Sequence, residues 1–304
     1  MMNKKQKLLC IGGPSGVGKT ALSIVLAKKF NGEIISCDSM QIYKGFDIGT
    51  AKISKKEMDG VKHYMIDVCE PSQSFSVKEY KDEAIRIISQ IEDGGKLPIM
   101  VGGTGLYINA VLYDYNFSKE NKDNGLREKY NKLAEKYGNA VLISELKMAN
   151  INFDKVHFND TKRLIRLLET CGQSSLCEDK EKESNFDFFY VCLFKDRAEL
   201  YDALDKRVDK MFSNGLKEEV ENLLKIGVTF ECQAMQSIGY KEFKPYFSGE
   251  IKDLNIIKET IKKNTRNYAK RQLTWFRNSK DVLMYDVSCG FDELIEKIGE
   301  WLKK

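Results

Sequence analysis

The sequence predicts an α/β protein, a parallel sheet flanked by helices and interrupted by a small helical insertion, and three observations carry that prediction. Short apolar runs, at Leu8–Ile11 and again at Pro98–Val101, end in glycine-rich turns that lead straight into helix-patterned segments. Strand, loop, helix and strand in that succession make the parallel βαβ unit. From Asp114 the chain turns charged, lysine-rich and helical in pattern, and the apolar run Phe188–Phe194 then resumes the core.

Taken in order, residues 7–11 read as a first strand, Lys19–Phe30 as a helix, and Gly32–Asp38 as a second strand ending in an acidic residue. Ser76–Glu92 has helical periodicity, Lys96–Gly103 is a buried strand, and Leu106–Leu112 returns as a helix. Beyond the insertion, Phe188–Phe194 is a core strand, Leu200–Ile226 and Asp253–Phe276 are long amphipathic helices, and Val282–Ser288 is a last strand. Residues 1–113 and 156–304 therefore form the core and 114–155 the insertion. The charge run Glu178–Asn185 reads as a solvent loop.

With 304 residues, 42% hydrophobic and 31% charged, the chain can bury a sizeable core. It has no run near the roughly 20 apolar residues of a membrane span, and its start is too short in apolar residues for a signal peptide. A soluble cytosolic protein is expected, with no membrane partner. The net charge of +4 is too small to mark a nucleic-acid partner by itself, so the distribution of charge matters more. Eight cysteines (Cys10, Cys37, Cys69, Cys171, Cys177, Cys192, Cys232 and Cys289) lack any Cys-x-x-Cys, and His63 and His157 lie far apart. That pattern argues against zinc and for buried, reduced thiols.

The chemistry begins at "GGPSGVGKT", where Gly13, Pro14, Ser15, Gly16, Val17, Gly18, Lys19 and Thr20 follow a strand and open a helix. Glycines let backbone N–H groups converge on phosphate oxygens, and the helix adds its positive dipole end. Lys19 would neutralise terminal phosphate oxygens and Thr20 would hold Mg²⁺. The core is thus P-loop NTPase-like. Such a loop serves a nucleotide used for energy, a phosphoryl donor, or a diphosphate about to leave a carbon atom.

Asp38 ends the second strand, where the carboxyl ends of neighbouring strands surround a ligand. It would coordinate Mg²⁺ through water or accept a proton from an attacking group, unless it merely caps the turn "DSMQ". Thr104 in "VGGTGLY" leaves a strand for a helix and should project over the same site. Arg207, on a helix, would close over phosphate oxygens, the competing reading being a solvated arginine. "KKNTRNYAKRQLTWFRN" sets Lys263, Arg266, Lys270 and Arg277 on one helical stripe and Ile257, Ile261, Tyr268 and Trp275 on the packing stripe. A basic stripe interleaved with aromatics suits a nucleic-acid backbone and unstacked bases. "NDTKRLIRLLE" adds Arg163 and Arg166 behind an Asn/Asp cap.

Together "GGPSGVGKT", "DSMQIYKGFDIGTAK", "VGGTGLYI", "HFNDTKRLIRLLE", "GLKEEVENLL", "AMQSIGYKE" and "TRNYAKRQLTWFR" resemble, in order and nearly end to end, the tRNA dimethylallyltransferase (IPP transferase) family. The resemblance implies an enzyme, a prenyltransferase that moves a dimethylallyl group from dimethylallyl diphosphate to N6 of the adenosine 3′ of the anticodon and releases diphosphate. It implies that Ser15–Thr20 hold the diphosphate, with Lys19 and Thr20 on phosphate and Mg²⁺. Asp38 would be the general base toward N6, with Thr104 and Arg207 near the diphosphate. The tRNA contacts would come from Asp38, Ser39, Met40 and Gln41, from Thr104 and Arg127, and from Lys162, Arg163, Leu164, Ile165 and Arg166. Further contacts would come from Gln236, Ser237, Ile238, Gly239, Tyr240 and Lys241, and from Lys270, Arg271, Gln272, Leu273, Thr274, Trp275, Phe276 and Arg277. The insertion would meet the anticodon arm, and the chain would act as a monomer. Three departures are visible: Phe158 stands where many relatives carry proline, Ala203 where they often carry arginine, and the insertion sequence itself is weakly matched. Competing readings are a P-loop small-molecule kinase, a prenyltransferase for free adenine nucleotides, and an inactive tRNA-binding protein.

Overall fold

Strands that are apolar at consecutive positions must be covered on both faces, and the sheet is built that way. The computed structural model describes residues 5–115, 117, 124–154, 156–171 and 183–304. The chain runs β1 (Gln6–Gly12), α1 (Lys19–Lys29), β2 (Gly32–Ser36), β3 (His63–Tyr64), α2 (Val77–Asp93), β4 (Leu97–Gly102) and α3 (Gly105–Leu112). Next come α4 (Asn124–Tyr137), α5 (Ala140–Met148) and α6 (Thr161–Glu169). The core resumes with β5 (Phe186–Phe194), α7 (Arg197–Ser213), α8 (Leu216–Lys225), α9 (Lys244–Phe247), α10 (Leu254–Arg277), β6 (Leu283–Asp286) and α11 (Asp292–Lys303).

Six strands pair in the order β3-β2-β4-β1-β5-β6, all parallel, with Leu9 of β1 opposite Ile99 of β4 and Phe189 of β5. Because the strands are parallel, the turns after β1, β2 and β4 emerge along one edge of the sheet. That edge is where a ligand crevice forms in open α/β sheets. Leu22 and Leu26 of α1 pack with Leu9, Ile11, Ile34 and Ile99 on one face, joined by Leu294 and Ile298 of α11. A second core gathers Ile42, Tyr43 and Phe46 with Val208, Val220, Tyr240, Ile257 and Ile261. No helix among the described residues is long and apolar enough to cross a membrane.

Several boundaries depart from the sequence reading. The second strand stops at Ser36, so Asp38 sits in the turn beyond it, although the bond from Cys37 N to Val101 O (2.7 Å) carries the pairing one residue further. Ser76 lies outside α2 as its cap, in a reciprocal capping box with Glu79. The segment Leu200–Ile226 is two helices, because Gly215 adopts a left-handed φ of 94° and restarts the chain as α8. The two-residue β3 carries too short a pattern to be read from sequence.

The described chain divides into two compact units, 1–112 with 184–304, and 113–183. The insertion is thus wider than 114–155. Leu164, Ile165, Leu167 and Leu168 of α6 share one apolar core with Tyr130, Leu142 and Leu146 of α4 and α5, so α6 belongs to the helical unit. Of the cysteines, Cys10, Cys37, Cys69 and Cys192 are buried free thiols, whereas Cys171 and Cys289 are exposed, and Cys232 is half-buried. Cys177 and most of the Glu178–Asn185 loop lie outside the described residues.

Candidate active site

The turn after β1 is wound by three glycines in the left-handed region, Gly13 (φ 138°), Gly16 (φ 77°) and Gly18 (φ 96°), the last capping α1. L-side chains rarely adopt such values, which explains the spacing of glycines in the loop. Gly18, Lys19 and Thr20 border a cavity of about 350 Å³ together with Ser15, Ser36, Asp38, Gln41, Gly103 and Arg207. Lys19 Nζ lies back along the loop, donating to the carbonyls of Gly13 (2.8 Å) and Pro14 (2.7 Å). Burial and the neighbouring Arg207 cation bring its pKa down to about 8, against the opposing pull of Asp38. Burial also lowers Arg207, whose Nη2 donates to Thr50 O at 3.1 Å.

Asp38 is anchored at one oxygen. Its Oδ1 accepts from the backbone N–H of Met40 (2.9 Å) and of Gln41 (3.4 Å), an Asx-type turn that aims the carboxylate. The capping role considered from sequence is therefore real, and it coexists with a place on the cavity wall. Thr104 braces the same turn: its Oγ1 accepts from Ser39 N (3.2 Å), and its own N–H donates to Cys37 O (3.0 Å).

A second cavity of about 300 Å³ shares Ser15, Asp38 and Arg207 with the first. Its other walls include Ser39, Met40, Gly49, Thr50, Gln236, Ser237, Ile238, Gly239 and Lys241, with Ile261, Tyr268 and Arg271 from α10. The structure thus brings two sequence-distant motifs onto Asp38. Tyr240, by contrast, is fully buried, and its hydroxyl donates to Glu219 (2.6 Å).

The residues of α10 separate more sharply than the sequence reading expects. Gln272 and Phe276 are buried, and Leu273 packs against Leu200 and Leu204. Gln272 Nε2 donates to Gly103 O at 2.9 Å, and a Cβ on Gly103 would overlap that amide nitrogen, so glycine leaves the amide its place in this bond. Trp275, assigned to the packing stripe, is 37% exposed, while Phe276 takes the inward place against Gly12 and Tyr190. The buried stripe shifts round the helix as α10 passes from the second core to the end of β1. Thr274 is exposed and bonds its own helix at Lys270 O. Arg266 leaves the basic stripe, its Nη1 held by both oxygens of Asp205 (2.5 and 2.7 Å). Lys263, Lys270 and Arg277 remain exposed.

In the helical unit, Leu164 and Ile165 are buried and present no side chain to a ligand. Arg127 and Arg166 both pair with the buried Glu169, through Arg127 Nη2 (2.8 Å) and Arg166 Nη1 (3.2 Å). Lys162 and Arg163 are exposed on the face opposite the core, with Asp160 capping the helix at Arg163 N.

Comparison with known proteins decides the family. The IPP transferase family model matches residues 41–279. The chain belongs to the IPP transferase family. A tRNA dimethylallyltransferase of Bacillus cytotoxicus is 47% identical over 307 residues, covering 99% of this chain and 95% of that one. One from Bacillus anthracis is 46% identical over 306 residues, with the same coverage of both chains. A solved tRNA isopentenylpyrophosphate transferase of Bacillus halodurans superposes with a TM-score of 0.75 at 41% identity, covering 98% of this chain and 96% of that one. A eukaryotic dimethylallyltransferase solved acting on tRNA gives a TM-score of 0.78 at 30% identity, over 97% of this chain and 77% of that one.

Sequence reasoning missed Tyr268 as a wall residue beside Asp38; its spacing of three from Arg271 was the available signal. Burial and the nearby Asp38 push its hydroxyl up to about 12, with Thr104 and Gln272 opposing. It also missed the carbonyl of Thr50 and the carboxylate of Glu219, since such long-range partners leave no periodicity.

Proposed function

We propose that this chain transfers the dimethylallyl group of dimethylallyl diphosphate to N6 of the adenosine 3′ of the anticodon in tRNA, releasing diphosphate, as a cytosolic monomer. The observation that carries the reading is the wall shared by the two cavities, where Asp38 and Arg207 face both a phosphate cradle and a second chamber. The diphosphate lies along Ser15–Thr20, where the N-terminus of α1, Lys19 and Arg207 balance the negative charge that grows as it departs. Each donor aimed at developing charge is worth about 3 kcal/mol. Thr20 opens into the cradle beside Asp38, Gln41 and Ser36, a set of hard oxygen donors that fits Mg²⁺. When bound, Mg²⁺ supplies further charge neutralisation on the leaving diphosphate.

The adenine enters the second chamber unstacked, between Ile238 and Tyr268, because N6 cannot reach Asp38 from within a helical stack. Asp38, fixed through Oδ1, takes the N6 proton as the N–C bond forms and the C–O bond to diphosphate breaks. Lys263, Lys270, Arg271 and Arg277 follow the tRNA backbone. The test is mass analysis of a tRNA pool after incubation with dimethylallyl diphosphate. A gain of one dimethylallyl group on adenosine is expected; phosphorylation or ATP turnover without that gain replaces this reading with the kinase, and modification of free nucleotides alone replaces tRNA as substrate.

A further inference from the structure

Gly49 and Thr50 line the second cavity and Asp47 and Ile48 a neighbouring one of about 720 Å³, and none of the four belongs to the P-loop or to the turn of Asp38. They form a tight turn in which three successive N–H groups point the same way, a backbone nest that attracts an anion. The anion is internal. Glu219 Oε2 accepts from Asp47 N (3.0 Å) and Ile48 N (2.7 Å), and Oε1 from Gly49 N (3.1 Å) and the Tyr240 hydroxyl (2.6 Å). Four donors on one carboxylate use its whole acceptor capacity, and charge-assisted bonds of this kind are the strong ones.

The turn ends at Thr50, whose carbonyl receives Arg207 Nη2 (3.1 Å) and Gln41 Nε2 (3.4 Å). Arg207 enters the cradle from α7, and this carbonyl accepts from its guanidinium. Gly49 faces the Tyr240 ring so closely that a Cβ would overlap it, which seats the turn against the second core. Glu219 itself stands in the first turn of α8, where an acidic side chain also suits the helix dipole.

We propose that Glu219 is a positioning residue for Arg207: by gathering the N–H groups of Asp47, Ile48 and Gly49 it fixes the Thr50 carbonyl that aims the guanidinium into the diphosphate cradle. Removing it frees the turn, and Arg207 loses the acceptor that orients it. The inference rests on the reading of the P-loop as a diphosphate cradle, not on the identity of the acceptor.

The experiment measures binding of inorganic pyrophosphate to the whole chain by calorimetry, with prenyl transfer to tRNA read in parallel. Glu219→Ala is expected to weaken pyrophosphate binding about tenfold, Arg207→Ala at least as much, and the double variant no more than Arg207→Ala alone, within about twofold, because coupled residues are non-additive. Glu219→Gln retains one acceptor oxygen and should recover about half of the loss on a logarithmic scale. Full additivity of the two substitutions, or wild-type binding by Glu219→Ala, overturns the proposal. If Glu219→Ala does not fold, the same cycle is run with Glu219→Gln, where additivity with Arg207→Ala again overturns it. Wild-type protein that binds pyrophosphate but leaves tRNA unmodified refutes the proposed function and leaves this cycle still readable.

Discussion

Raising the pH should strip the diphosphate cradle of one charge well before an ordinary lysine would lose it. Burial and Arg207 hold Lys19 at about 8 in the free protein, against the ordinary lysine value of 10.5. On that value about nine-tenths of the molecules carry charged Lys19 at pH 7 and about one-tenth at pH 9. A bound diphosphate favours the charged form and lifts the pKa again, so binding selects the protonated fraction. The sign follows: affinity for pyrophosphate is fully expressed below pH 8 and falls above it, by about tenfold between pH 7 and pH 9, or about 1.4 kcal/mol. At pH 9 formation of the complex should take up about 0.9 proton, seen as a calorimetric enthalpy that varies with the ionisation enthalpy of the buffer. Pyrophosphate titrates too, so each value is referred to Lys19→Arg, whose guanidinium stays charged throughout. A wild-type to Lys19→Arg affinity ratio constant across this range, with no proton uptake at the high end, would refute the reasoning.

Asp38→Asn keeps the acceptor that receives Met40 N and Gln41 N but removes the base; transfer to tRNA should fall by about 10²–10⁴ with pyrophosphate affinity nearly unchanged, as single-turnover kinetics and calorimetry will show. Gly103→Ala forces a methyl group into the Gln272 amide, so urea unfolding should report a loss of about 1–3 kcal/mol. Lys270→Ala with Arg277→Ala removes two exposed cations from α10; the slope of log affinity for tRNA against log salt should shrink by about 1.5, while pyrophosphate binding stays put. An unchanged slope in the folded double variant takes this stripe off the tRNA path.

The sequence made the cradle legible because its chemistry is local. Gly13, Gly16 and Gly18 supply backbone dihedrals, Lys19 and Thr20 follow within one turn, and a strand and a helix frame them. Strand order was less accessible, since nothing in β1 says that β4 and β5 flank it. What escaped is pairing over long separations. Glu219 meets Asp47–Gly49 from more than 170 residues away in the chain at Asp47 (172 apart) and Ile48 (171 apart), and neither side carries a pattern that points to the other. The pairing of Arg127, which the resemblance set at the tRNA, was hidden for the same reason; its partner Glu169 lies 42 residues on.

The segment Lys270–Arg277 shows why a run of residues is a poor unit for assigning contacts. An α-helix offers successive residues to different faces, so eight consecutive positions cannot all meet one partner. Gln272 and Phe276 turn inward and join α10 to the turn after β4 at Gly103 and to the end of β1 at Gly12. Lys270 and Arg277 turn outward, and Arg271, 5.6 Å from the Tyr268 ring centre, reaches the second cavity. The same helix therefore fixes the frame of the phosphate site with one face and offers cations with another. On the proposed function, registry between the tRNA backbone and the N6 amine at Asp38 is then set by one rigid element, with no loop between the two tasks.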